Sequence, residues 1–244
     1  MLPSAVTGPL VGSDAFSGTI TRGTGESPGT YSITQGTLAL SSNYSLTYAS
    51  ANLTITVRAL TVTANARTKT YGNSDPALTY SITSGTLATG DAFTGAITRA
   101  TGTNAGAYAI SQGTLALSTN YALTFVGDTL TVTSRAITVT ADNKTKNGAN
   151  ADPSFTYSVT SGSLASGDSL TGSLARDPGT IDGTYAITQG TLAISTTSSN
   201  YSLTFTAGTL TITSKTVTTV AWSTPSAITY GTTLSSTQLS ATLE

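Results

Sequence analysis

The chain repeats itself every 77 residues, and this period restricts its fold more than any other feature. Asp14, Asp91 and Asp168 sit in GSDAFSG, TGDAFTG and SGDSLTG, each 77 positions after the last. Gln35, Gln112 and Gln189 open QGTLAL, QGTLAL and QGTLAI at the same interval. Tyr31, Tyr108 and Tyr185 keep the register as well. The Asn-Tyr pairs at 43–44, 120–121 and 200–201 are spaced 77 and then 80, with three extra residues inside STTSSNY. An insertion that leaves the pattern intact marks a surface loop. The register divides the chain into a truncated first module (5–58), a second (59–135), a third (136–215) and the opening strands of a fourth (216–244).

Within a module the periodicity is two, the signature of half-buried strands. Leu53, Ile55 and Val57 alternate with Thr54 and Thr56, and Leu60, Val62 and Ala64 with Thr61 and Thr63. Turn residues separate such runs, as at 72–76, 89–91 and 102–106. The reading is all-β, with at most one short helical turn near each Gly-Asp. The parity of the apolar positions flips at Arg58–Ala59, Arg135–Ala136 and Lys215–Thr216. Each flip is expected where the last strand of one module runs into the first of the next. No Gly/Ser or Pro spacer lies at these junctions, so the modules are expected to stack end to end as a stiff rod. Strands of about 10–12 residues, roughly 35–40 Å, set the expected scale of one module.

The second module carries LTVTANARTKTYGNSDPALTY (60–80), GDAFTG, GAYAI, GTLAL and NYALTF. These motifs resemble the MBG domain (YGX type), a family that forms tandem repeats in very large bacterial surface proteins, including haemagglutinin-like and autotransported adhesins. The resemblance covers nearly the whole chain and is most specific in the second module. In the third, Gly148-Ala149 replaces Tyr71-Gly72 while Asp152-Pro153 is kept; the tail recovers Tyr230-Gly231 but looks like a more immunoglobulin-like variant. The resemblance implies a small β module, β-grasp-like or sandwich-like, in an extracellular stalk or adhesin, with no catalytic residue, cofactor or metal to carry over.

Composition excludes much chemistry. The chain has no His and no Cys, so it holds no Ser-His-Asp or Cys-His nucleophile system, no His/Cys zinc site and no disulfide. Its net charge is −1, with scattered Lys and Arg, which gives no footprint for nucleic acid. No apolar run is long enough to span a membrane as a helix. Catalysis would have to come from an Asp dyad, and no such cluster is evident.

The recurrent polar residues each admit a sharp reading and a plain one. Asp14, Asp91 and Asp168 are read as Asx-turn or cap residues, because calcium needs six to eight oxygens and one acid recurs per turn. Asp75 and Asp152, before Pro, are likewise read as turn residues. The 54 Thr and 32 Ser include Thr-x-Thr pairs such as Thr61/Thr63 and Thr138/Thr140, read as solvated strand faces rather than arrays that order water or bind sugar. Tyr31, Tyr108 and Tyr185, with Tyr44, Tyr121 and Tyr201, are placed in the core rather than in a glycan-stacking row. Gln35, Gln112 and Gln189 are given turn hydrogen bonds rather than ester links. Lys69 and Lys146 lack the buried acid that an isopeptide requires, since Glu occurs only at 26 and 244. Four N-x-S/T sequons, at Asn43, Asn52, Asn143 and Asn200, are about what chance gives in so hydroxyl-rich a chain.

The ends add one expectation. Ser4 aligns with Ser81, so the first module lacks a counterpart of 59–80, while 216–244 resembles that opening. A window cut from a longer repeat protein accounts for this, with the final Leu-Glu as a scar. Head-to-tail complementation, in which 216–244 of one molecule completes 5–58 of the next, is the alternative. The function expected is a non-catalytic stalk or spacer of a bacterial surface protein, with a self-assembling filament subunit and a glycan- or mucin-binding module as the competing readings.

Overall fold

The computed structural model of the chain describes residues 8, 10–214, 220–222, 224–236, 239 and 242–243. The readings placed on Ser4, Lys215–Thr216 and Glu244 lie outside them. The described residues form two compact units. One holds those up to 69, with 74–102 and 106–132; the other holds 70–73, 103–105 and those from 133 onward.

The first repeat is one antiparallel sheet of β1 (Thr21–Arg22), β2 (Gly29–Thr34) and β3 (Ala51–Ile55), in that order. The second repeat builds two sheets from β4 (Arg58–Ala64), β5 (Arg67–Thr70), β6 (Tyr80–Ser84), β7 (Thr98–Arg99), β8 (Gly106–Ser111), β9 (Tyr121–Val126) and β10 (Asp128–Thr133). Their orders are β6-β4-β9 and β5-β10-β8-β7. Strand β4 runs antiparallel to β6 and parallel to β9, from Arg58↔Tyr121 to Thr63↔Val126. The third repeat repeats this plan with β11 (Arg135–Ala141), β12 (Lys144–Asn147), β13 (Tyr157–Gly162), β14 (Leu170–Thr171), β15 (Ala175–Arg176), β16 (Gly183–Thr188), β17 (Ala193–Ile194), β18 (Tyr201–Thr206) and β19 (Gly208–Thr213). Its main sheets are β13-β11-β18 and β12-β19-β16-β15. In the tail, β20 (Val220–Ala221) pairs antiparallel with β21 (Thr242–Leu243).

The molecule is therefore all-β, a tandem run of small modules. Two sheets face one another across each closed core, which is the sandwich-like of the two expected architectures. In the second repeat the alternating sequence sends Leu60, Val62 and Ala64 of β4 inward to meet Ile110 and Leu130 of the other sheet. Thr61 and Thr63 take the opposite face.

The expected 10–12-residue strands are instead broken at a corner. The longest described strands have seven residues. Chain 58–70 passes from one sheet to the other at Asn65-Ala66, and its neighbour 121–133 does so at Gly127. The inward positions switch there, from Leu123 and Phe125 to Leu130 and Val132. A Cβ on Gly127 would lie 2.8 Å from the Ile110 carbonyl oxygen, and one on Gly208 2.7 Å from that of Ala141. Backbone crowding thus reserves both corners for glycine. No helical turn forms at the Gly-Asp sites; the one short 3-10 turn among the described residues, Ser198–Asn200, occupies the three-residue insertion.

The first repeat differs in its core. Leu53 is 40% exposed, whereas Leu130 and Leu210, its counterparts, are fully buried. The reason is pairing: β10 and β19 have β5 and β12 on one side, while β3 pairs with β2 alone among the described residues. Burial sets the energetic weight of each leucine. Leu130→Ala is expected to cost about 3 kcal/mol, and Leu53→Ala less than about 1 kcal/mol, in equilibrium urea unfolding.

Candidate functional site

The recurrent polar residues converge on three small constellations, each repeated with the sequence period. The first is an ion cluster. Lys69 stands on β5 and Arg99 on β7, the two outer strands of one sheet. Asp75 joins them, with Lys69 Nζ 2.6 Å from Oδ1 and Arg99 Nε 2.6 Å from Oδ2. Lys146, Arg176 and Asp152 repeat the arrangement on β12 and β15 with the same 2.6 Å distances. Each Arg also lies over a ring, Arg99 over Tyr108 at 5.2 Å and Arg176 over Tyr185 at 5.5 Å. Its Nη1 donates to two carbonyls of the adjoining loop, those of Ala100 and Gly102 in the second repeat. In the first repeat Arg22 sits over Tyr31 and pairs instead with Glu26.

These contacts correct the reading of Asp75 and Asp152 as plain turn residues. Arg99 first, and then Lys69, hydrogen-bond the Asp75 carboxylate and hold its pKa below the usual 3.8; Arg176 and Lys146 do the same to Asp152. Lys69 does touch a carboxylate, but amide formation needs a neutral amine and a protonated acid. A carboxylate kept ionised by two cations is the opposite of an acylating group. The missed residues are Arg22, Arg99 and Arg176, whose 77-residue spacing was visible in the chain.

The second constellation explains the Gly-Asp turns. The Tyr121 hydroxyl accepts the Ala88 N–H at 2.7 Å and donates to Asp91 Oδ2 at 2.6 Å. Tyr201 repeats this with Ala165 and Asp168, and Tyr44 with Val11 and Asp14. Burial pushes the Tyr201 phenol above its ordinary pKa of 10.0; the Ala165 N–H opposes that and the Asp168 carboxylate reinforces it. Both Tyr121 and Tyr201 are buried. Tyr31 and Tyr185 tie their hydroxyls to the carbonyls of Ser27 and Ile181. The three Gln side chains each close a turn, donating to the carbonyl three residues on at 2.8 Å: Leu38, Leu115 and Leu192. Among the described residues, no group of three or more Asp or Glu is placed to hold a metal ion.

The third constellation lies in the second compact unit, where side chains of the third repeat grip the segments 70–73 and 103–105. Arg135 donates from Nε to the Tyr71 carbonyl at 2.9 Å and from Nη2 to Asn73 Oδ1 at 2.7 Å. The Tyr71 ring packs edge-on against Tyr201, with centroids 5.5 Å apart. Asn200 is completely buried; its Oδ1 accepts the Ala105 N–H and its Nδ2 donates to Asn104. The Tyr-Gly signature is thus one half of a clamp whose other half is the arginine that opens the following repeat.

The family model of the MBG domain (YGX type) matches residues 3–54, 60–131 and 137–211. The chain belongs to this family, as three tandem copies of its domain. MBG repeats are structural, adhesin-type domains, typically of surface proteins, and the family is not known as one of enzymes. No curated protein and no solved structure compared with the chain matches it.

Two outcomes follow from these geometries. Tyr121→Phe strands the Ala88 N–H and one oxygen of Asp91 in a half-buried turn, and should cost about 1–3 kcal/mol in urea unfolding; Tyr201→Phe should behave alike. Asp75 and Asp152 have depressed folded-state pKa values. Their contribution is present above about pH 4 and is lost as pH falls through those lower values. The melting temperature of the chain should therefore drop between about pH 4 and pH 2 more steeply than that of an Asp75→Asn/Asp152→Asn variant.

Proposed function

We propose that this chain is a non-catalytic structural segment, a stalk or spacer of a bacterial extracellular adhesin or surface fibre. The observation that carries the reading is where the recurrent polar groups go. Asp75, Asp91, Gln112 and Tyr121 find their partners inside the repeat itself, and the same holds one period later. Nucleophiles and acid–base groups require a substrate-facing position, and these residues face their own turns. Family membership supports the extracellular, adhesive setting.

The spacer reading makes a mechanical claim. Pulled between its ends in a force spectrometer, the chain should unfold in discrete steps, one for each closed repeat. Each step should release about 250–280 Å of contour, the length of 77–80 extended residues. A glycan array probed with the full chain should give no selective signal. A signal abolished by Tyr157→Ala with an unchanged melting temperature would replace this reading with the glycan-binding one; Tyr157 lies on β13 and is 36% exposed.

A further inference from the structure

One stretch of the second repeat, Arg67–Asn73, performs two tasks at once. Residues 67–70 lie along β10 as an outer strand, and the turn that follows seats Tyr71 and Gly72 among Arg135, Ala165 and Tyr201. Gly72 has φ +81°, and a Cβ on it would come within 2.5 Å of the Ala165 Cβ. The seat therefore admits glycine and rejects larger residues.

The receiving surface recurs one period earlier. Strand β3 corresponds to β10, Arg58 to Arg135, Ala88 to Ala165 and Tyr121 to Tyr201. Among the described residues, no strand lies on the outer side of β3. Arg58 is exposed and reaches only Thr86, through Nη1 at 3.3 and 3.4 Å, while Arg135 grips both Tyr71 and Asn73.

A matching ligand exists in the same chain. Residues 226–232 read Ser-Ala-Ile-Thr-Tyr-Gly-Thr, aligning Tyr230 with Tyr71 and Gly231 with Gly72. The turn is already formed: the Thr232 N–H donates to the Thr229 carbonyl at 3.0 Å, as the Asn73 N–H does to Thr70 at 3.1 Å. Gly231 has φ +92°. Tyr230 is fully exposed and Ile228 is 43% exposed. Its ordering cost on binding is thereby reduced.

We propose that the open edge of β3 and the Arg58 guanidinium form a docking surface for residues 226–232 of a second copy of this chain. The incoming segment adds a strand beside β3 and covers Leu53, and its Tyr-Gly turn sits against Tyr121 and Ala88 with the Tyr230 carbonyl on Arg58. Donor and acceptor are different surfaces, so the contact is heterologous and propagates into chains of molecules. This goes beyond the spacer reading and does not depend on it.

Sedimentation of the full chain from about 1 μM to about 1 mM, the span of weak specific association, tests the idea. The mass is expected to climb from 24.5 kDa through dimers to larger species. Arg58→Ala and Tyr230→Ala/Gly231→Val should each weaken association by about 30-fold or more. Circular dichroism melts of both should match the parent, since the altered side chains are exposed. An equimolar mixture of the two variants retains one intact acceptor and one intact donor, so it should form dimers and stop there. A wild-type chain that stays monomeric throughout overturns the proposal. So does association that both variants leave unchanged, or a mixture no more associated than either variant alone.

Discussion

Parallel pairing between the opening and closing segments of a repeat is the contact on which the rest of each module depends. Strand β4 lies beside β9 and β5 beside β10, although some 60 residues of chain separate them. Because both segments turn the same corner, one pairing builds both sheets and brings their apolar faces together. Leu60 and Val62 then meet Leu130 from the opposite side. Where the pairing is not formed, as at β3, the equivalent leucine is left 40% exposed. The hydrophobic driving force is the same in both places; only the strand that completes the burial differs.

Polar residues act on this frame as ties rather than as reagents. The Lys-Asp-Arg cluster spans a four-stranded sheet from edge to edge, and the tyrosine hydroxyl anchors the Gly-Asp turn that crosses over the core. Largely exposed ion pairs contribute modestly to stability. Their recurrence in two repeats, on the same outer strands, gives them a defined role in holding sheet edges. Glu26 beside Arg22 carries the same charge pairing in a repeat where the aspartate and lysine counterparts are not present. Surfaces are left to Thr and Ser, which pair across strands, as Thr63 does with Thr83 and Thr140 with Thr160.

Much of this was legible in the chain. The period-two alternation gave the right inward residues on β4 and β11, and the turn roles of Gln35, Gln112 and Gln189 were read correctly. The core placement of Tyr121 and Tyr201 was legible too, because a recurring tyrosine in a β module rarely faces water. Other features were not. The corner at Gly127 looked like continuous strand, because alternation resumes at once on the other side. Asp75 looked like a turn residue because Lys69 and Arg99 lie 6 and 24 positions away in opposite directions. Nothing local marks that convergence.

The sequence by itself determined the module count, the strand faces and the family, since each is written in local spacing that repeats every 77 residues. Tertiary structure alone decided which strands share a sheet and which carboxylate meets which cation. It also decided that Tyr71-Gly72 belongs to a clamp closed by Arg135. Alternation tells a residue which side it faces, but not what lies on that side. That depends on pairings between distant segments, whose register is fixed only when the two sheets close over a common core.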